Sequence, residues 1–321
     1  MANILIVHAH HEPQSFSSAL ARTAGETFIA EGHAVVYSHL NALGFNPVSD
    51  RRNFTTVANA QFLKQQEEEG YATKNNGFAP DVEAEMQKVE KCDLLIFSFP
   101  LWWFGLPAIL KGWVDRVFAY GRFYGRGKWC ENGSGRGKRA MVLMTTGGGE
   151  IMYGRNGMHP PISQVLTPIH RGIFWFNGFS PVPPFIAWSA AHGTDLQRQE
   201  TLEKLRQRLV NIFQEPPLCL PLAADFDPQT FVDTVPRFMV TASSDLPFSE
   251  ESLPRFPVLL KRLATLQGEG KLLDYHLSAP TSPNWRGFLL FRERTEAAVR
   301  EKCQTLPLAA QLKFEVAPVD S

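Results

Sequence analysis

Five apolar runs of strand length divide the first part of this 321-residue chain, and each is separated from the next by a segment long enough for a helix. They are NILIVHA (3–9), AVVYSHL (34–40), DLLIFSF (93–99), AMVLMTT (140–146) and a looser PPFIAWSA (183–190). Strands this uniformly apolar have no polar face to show to water, so both faces of their sheet must be covered. Helices predicted over 15–32, 81–91, 107–120, about 161–176 and 195–213 supply the cover. Such alternation builds a parallel sheet with helices on both sides.

Five such units are the count of a flavodoxin-like, doubly wound, five-stranded parallel sheet. The long polar segment 41–80, with QQEEEG inside it, reads by default as a solvated surface loop, with a functional or partner-contacting excursion as the alternative. Around 215–235 prolines cluster and no period survives, which predicts a linker. Beyond it come a strand (237–243), a helix (about 250–267), two strands (271–278 and 286–293), a helix (295–305) and a last strand (312–318). That βαββαβ order is ferredoxin-like. The expected organisation is an α/β domain over 1–214, a linker over 215–235 and a smaller α+β domain over 236–321.

Charge and cysteine usage narrow the function. With 32 basic and 32 acidic side chains, no global field draws nucleic acid or an anionic membrane. Cys92, Cys130, Cys219 and Cys303 are far apart and form no CxxC pair, so neither zinc nor thiol redox chemistry is indicated. Free thiols suit a reducing cytoplasm. The amino terminus reads as a first strand rather than a signal peptide, and no uncharged run approaches the ~20 residues that span a bilayer. A cytoplasmic protein without membrane insertion is expected.

Open doubly wound sheets bind ligands beyond the carboxyl ends of their strands. The first such turn, HAHHEPQSFSS (8–18), has no glycine and so no dinucleotide fingerprint. Hydroxyls of Ser15, Ser17 and Ser18, with free N–H groups at a helix start, suit a flavin phosphate instead. His8 and His10 share a strand face but lack a third ligand at metal spacing. His8 reads as a packed strand residue, and His10 as a contact for a phosphate or a flavin edge. After the third strand, Trp102, Trp103 and Phe104 crowd the turn before Pro107. After the fourth, Thr145 and Thr146 lead into Gly147 and Gly148, where backbone N–H groups can approach a ligand closely.

With IVHAHHEPQSF (6–16), FPLWWFGLPAILKGW (99–113) and TTGGGEIMYGRNGMH (145–159) in order, the chain resembles the two-electron NAD(P)H:quinone oxidoreductase family of the DT-diaphorase type, over residues 3 to 213. The resemblance implies a flavodoxin-fold homodimer that holds FAD at its interface, with FMN the less expected flavin. It also implies NADPH or NADH as donor and a quinone as acceptor. By the same resemblance His10, Phe16 and Ser17 contact the cofactor phosphates or ribityl chain. Leu101, Trp102, Trp103 and Phe104 line the isoalloxazine, and Thr145, Thr146, Gly147 and Gly148 wrap its polar edge. Tyr153 and His159 match the pair that assists hydride transfer, and Arg198 lies toward the adenosine. Phe104, Tyr124 and His159 would line the substrate pocket.

Two departures bear on substrate. Trp102 replaces a family glutamine, and Gly125-Arg126 replace a Thr-Tyr pair beside Tyr124, which exchanges an aromatic for a cation; that points either to an anionic substrate or to an Arg126 that simply faces solvent. The carboxyl-terminal segments LQGEGKLLDYHLS (266–278) and LPLAAQLKFEVAPV (306–319) resemble small dimeric α/β-barrel proteins, which include muconolactone isomerases and YCII-like domains. There Asp274 and His276 share a strand face, as an acid–base pair or as part of a dimerisation module. Three functions compete: quinone reduction, a regulatory flavoprotein that docks a partner such as a potassium-efflux system, and isomerase-type chemistry in the carboxyl-terminal domain.

Overall fold

The apolar runs become β1 (Asn3–His8), β2 (Ala34–His39), β3 (Leu94–Pro100) and β4 (Arg139–Thr145), parallel and in the order β2-β1-β3-β4. This computed structural model describes residues 1–245 and 248–319. Of the domain predicted over 236–321, positions 246, 247, 320 and 321 therefore lie outside the described residues. The fifth place in the sheet is shared by β5 (Ser180–Pro181) and β6 (Phe185–Ala187), which pair with the beginning and end of β4. The single strand predicted over 183–190 is corrected to these two pieces. Pro183 and Pro184 have no N–H for the ladder, and their carbonyls accept from the Arg208 guanidinium instead.

The helices of this part are α1 (Phe16–Ala30), α2 (Gln65–Asn75), α3 (Pro80–Lys91), α4 (Ala108–Val117), α5 (Ile162–Ile169) and α6 (Asp195–Leu209). Successive strand residues face opposite layers. Ile4, Ile6, Leu94, Ile96, Met141 and Leu143 pack with Leu20, Ala24 and Phe28 of α1 and Leu205 and Leu209 of α6. Leu5, Val7, Leu95, Phe97, Val142 and Met144 pack with Met86 of α3 and Trp113 of α4. Each fully buried Leu or Phe contributes roughly 1.5–3 kcal/mol. Helix 161–176 is also more irregular than its pattern predicts. Pro168 sits inside α5, and the chain continues as a π-helical turn, His170–Trp175.

The polar stretch 41–80 is not a solvated loop. It contains α2, whose Glu68 is buried and accepts the amides of Ala58 (2.7 Å) and Asn59 (2.9 Å). Its neighbour Glu69 accepts the Tyr120 amide at 2.7 Å. Arg116 of α4, 3% exposed, donates to Asn53 Oδ1, the Asn46 carbonyl and Asp81 Oδ2, and so fastens the excursion to the helix layer.

The chain divides into two compact units, Met1–Pro217 and Leu218–Ser321. The second contains β7 (Arg237–Ser243), α7 (Phe256–Gly268), β8 (Leu272–Leu277), β9 (Arg286–Arg292), α8 (Glu296–Gln304) and β10 (Lys313–Val319). Its strands form an antiparallel sheet in the order β10-β7-β9-β8. One face packs Phe238, Val240, Leu289 and Phe291 against Leu259 and Leu263 of α7 and Val299 of α8, while Met239, Leu273 and Phe288 are exposed. The proline-rich stretch read as a linker carries a 3-10 turn at Ala223–Asp225. Arg292 grips Asp225 (3.2 Å) and Asp233 (2.7 Å), so this part of the stretch is tied to β9.

Candidate active site

Parallel strands end on one edge of the sheet, and pairing brings His8 level with Ser98, Pro100 with Thr145, and Thr145 with Ala187. The loops after β1, β3, β4 and β6 therefore share that edge. His8 anchors the first. Its Nδ1 and Nε2 lie 3.0 Å from the hydroxyls of Ser98 and Ser18. Ser18 Oγ donates to the Glu12 carbonyl at 2.8 Å, so it has no hydrogen left for His8. Nε2 therefore carries the proton and Nδ1 accepts from Ser98.

His8 is thus the packed strand residue expected, neutral and structural. Burial, with repulsion from His39 and His10, pushes its pKa down to about 4. The unfolded ring titrates near 6.5, so the unfolded chain takes up the proton first. The stability from this group is complete above pH 6.5 and falls as pH drops toward 4, by roughly 3 kcal/mol. Burial pushes His170 to about 4 as well and adds in the same direction. Urea unfolding at pH 7 and pH 4.5 checks this, and the difference should shrink in His8→Gln. An unchanged difference would remove His8 as its source.

Beyond His8 the loop leads into α1, where Ser15 caps the helix by accepting the Ser18 amide at 3.1 Å. The amides of Phe16 and Ser17 have no acceptor among the described residues. Ser17 Oγ is buried without a hydrogen-bond partner. An orphaned buried hydroxyl beside free helix-start amides is a site for an anion. His10 accepts the Glu12 amide on Nδ1 (2.9 Å), which leaves Nε2–H as its free donor. Its ring stacks on His11 at 4.8 Å, and both lie near Trp102 at 6.2 and 6.3 Å.

After β3 the chain reverses through Trp102–Gly105, closed by a 3.0 Å bond from the Gly105 amide to the Trp102 carbonyl. The central residues, Trp103 (φ 49°) and Phe104 (φ 59°), are both left-handed. That is a type I′ turn, whose central positions normally hold Asn and Gly. Each bulky residue held so costs of order 1–3 kcal/mol. The Trp103 side chain is 97% exposed, and no core contact accounts for the strain. Leu101 is tied to β4 through its amide and the Thr145 carbonyl, at 2.8 Å.

After β4, Thr146 Oγ1 donates to the Gly148 carbonyl at 2.8 Å. A Cβ at Gly147 would meet nothing within 4 Å, so its backbone faces open space. Tyr153 folds back from this loop. Its ring lies 4.9 Å from His159, 5.5 Å from Trp188 and 6.3 Å from Phe104, and Phe104 and His159 are 5.2 Å apart. Burial raises the Tyr153 pKa, so the phenol keeps its proton. Its hydroxyl makes no hydrogen bond to another described residue. Beside the start of α1, Phe16, Trp188, His192, Gln197 and Arg198 line a cleft of about 420 Å³. Arg198 is half-buried there and pairs with Asp195 at 2.9 Å.

Taken along the chain, the match to the flavodoxin-like fold family spans residues 2–211. NAD(P)H dehydrogenase (quinone) 1 of Cavia porcellus is 38% identical over 224 residues, which covers 70% of this chain and 82% of that protein. The chain belongs to the flavodoxin-like NAD(P)H:quinone oxidoreductase family. Another relative, ribosyldihydronicotinamide dehydrogenase (quinone) of Homo sapiens, is 34% identical over 216 residues, 67% of this chain and 94% of that one. A crystal structure from Klebsiella pneumoniae, of a protein assigned as a quinone reductase, superposes with a TM-score of 0.69 at 28% identity, over 73% of this chain and 94% of that one.

Within one chain of this family member the expected site residues fall into two groups. His10, Leu101 to Phe104, Thr145 to Gly148, Tyr153 and His159 lie at the end of β4 and on the loops after β1, β3 and β4, Phe16 and Ser17 on the start of α1, and Arg198 on the start of α6. Tyr124 does not touch Phe104 or His159. It packs on Tyr120 and Phe176, each 5.7 Å away, and accepts from Gln66 Nε2 at 3.4 Å. Gly125 and Arg126 continue from it in a separate hairpin. Sequence reasoning missed Trp188, although its place just after the last strand was a usable signal. Among the described residues no group of His, Cys, Asp and Glu stands ready to hold a metal.

Proposed function

We propose that the protein is an FAD-dependent quinone reductase that takes two electrons from NADPH or NADH and delivers them together to a quinone. One observation carries the reading: the Phe104–Tyr153–His159 cluster stands on the same sheet edge as the orphaned Ser17 hydroxyl and the open face of Gly147. Bound FAD would supply a carrier that accepts and passes on a hydride. Ser17, the amides of Phe16 and Ser17, and His10 Nε2–H would hold its phosphates. Trp103 and Phe104 offer flat apolar walls, and the Thr145–Gly148 backbone offers polar groups. Tyr153 and His159 present donors to the negative charge that develops during electron transfer.

The cleft lined by Phe16 and Arg198 would take the adenosine, which favours FAD over FMN. Tyr124, Gly125 and Arg126, remote from Phe104 within the chain, would reach the substrate from the second copy of a homodimer. We assign the carboxyl-terminal unit a ferredoxin-like, dimeric α/β-barrel role, with its open sheet face as a second self-association surface. Asp274 and His276, 3.5 Å apart, lie on β8 of this unit. Four free cysteines suit a cytoplasmic setting, and no helix among the described residues is long and apolar enough to cross a membrane.

The purified protein should be yellow and release FAD on denaturation. Gly147→Val, which fills the open face beside Thr146, should lose the flavin while remaining folded by circular dichroism. Release of FMN alone would remove the adenosine assignment. A colourless protein that takes up neither flavin would overturn the reading.

A further inference from the structure

A second cleft, of about 420 Å³, opens between α2 and the Tyr124–Lys128 hairpin, with Gln66, Glu67, Tyr71, Lys74, Tyr120 and Arg126 in its lining. Its walls are rigid. Gly125 and Lys128 exchange two backbone hydrogen bonds of 3.0 Å, and Arg126 (φ 53°) and Gly127 (φ 85°) form the turn between them. This is a second type I′ turn, with arginine in a conformation that residues other than glycine rarely hold. Gly125 has to be glycine: at φ 92° its Cβ would lie 2.3 Å from Cε2 of Tyr120. A Cβ on Gly70 of α2 would lie 3.5 Å from Cδ1 of the same ring. Tyr120 is therefore held between the helix and the hairpin, and Tyr71, 42% exposed, adds a second ring.

The cations in this cleft are uncommitted. Neither Arg126 nor Lys74 has an acidic or hydrogen-bonding partner among the described residues. The acid in the lining, Glu67, is paired with Lys64 at 2.9 Å. Two free cations beside tyrosine rings match one ligand chemistry. A planar ring packs on tyrosine, and a carboxylate on it meets the guanidinium fork through two parallel hydrogen bonds, with the ammonium adding a point charge. We propose that this cleft binds an aromatic carboxylate. The inference rests on the reading in which Arg126 reaches the substrate and names the chemistry it takes; a yellow, flavin-replete protein that fails to bind the probe would overturn it without touching the flavin assignment.

Isothermal titration of the full-length protein with 2-naphthoate and its neutral counterpart 2-naphthamide tests it. Naphthoate should bind about tenfold more tightly or better, the worth of a charge-assisted contact. Arg126→Asn, which tolerates the positive φ, and Lys74→Gln should each weaken naphthoate by about tenfold and leave naphthamide unchanged. Tyr71→Ala should weaken both. Equal binding of the two probes, no binding at millimolar concentration, or wild-type affinity in Arg126→Asn would overturn the proposal. So would displacement of naphthoate by inorganic phosphate at equal affinity, since a bare anion site needs no rings. Loss of binding in Gly147→Val but not in Arg126→Asn would place the anion at the strand-end site, and would overturn it as well.

Discussion

Tyr153→Phe and His159→Gln are each expected to slow reduction of the bound flavin by NADPH or NADH roughly ten- to a thousandfold, about 1.4 to 4 kcal/mol of transition-state stabilisation. The rings stand 4.9 Å apart and would address one developing charge, so the double variant should lose much less than the product of the single losses. Flavin affinity should move little, because Ser17, His10 and the Thr145–Gly148 backbone stay in place. Stopped-flow absorbance measures the rate, and fluorescence titration the affinity. Wild-type rates in both single variants would reduce the cluster to packing and leave the two walls of the site without a chemical role.

A comparable effect, of opposite sign for fold and function, is expected at the turn after β3. Replacing Trp103 and Phe104 with Asn and Gly supplies the pair that a type I′ turn favours. Trp103 buries almost nothing, so little packing is lost there. Stability should rise by about 1–3 kcal/mol in urea unfolding. Quinone turnover should fall at least about tenfold as both aromatic walls disappear. A variant that is no more stable and fully active would mean that the turn only reverses the chain. Strain held by exposed aromatics makes sense only if something else comes to lie against them.

The sheet was legible because its signal is local and redundant: β1, β3 and β4 are buried on both faces, edge strand β2 only in part, and each announces itself by an apolar run. Where sequence reasoning failed, the cause was a distant partner. Glu68 and Glu69 sit in a run of acids and glutamines that looks solvated. They are buried because the amides of Ala58, Asn59 and Tyr120 come to them, the last from 51 residues away. The fifth strand is broken because Pro183 and Pro184 interrupt the apolar run instead of opening it. Ser17 and Thr145 were expected from their place at strand ends, and Tyr153 from the family resemblance. Trp188 was not, because its ring neighbour Tyr153 and its fellow cleft-lining residues Phe16 and Arg198 come from three separate segments.

Both nitrogens of the His8 ring are committed, one to Ser98 and one to Ser18, and the hydrogen of Ser18 is in turn committed to the Glu12 carbonyl. Such a chain has no loose end. A proton cannot hop along it without leaving a charged imidazole in a buried place where burial already disfavours one. Under the loop after β1 the sheet edge is thus insulated against protons. In the proposed reaction both electrons and one hydrogen reach the quinone together as hydride, which leaves one proton to be supplied, and His8 cannot draw it from below. It must come from the water side, where His159 is only half-buried. Traffic is then divided by direction: hydride passes between stacked rings, and the remaining proton enters at the rim.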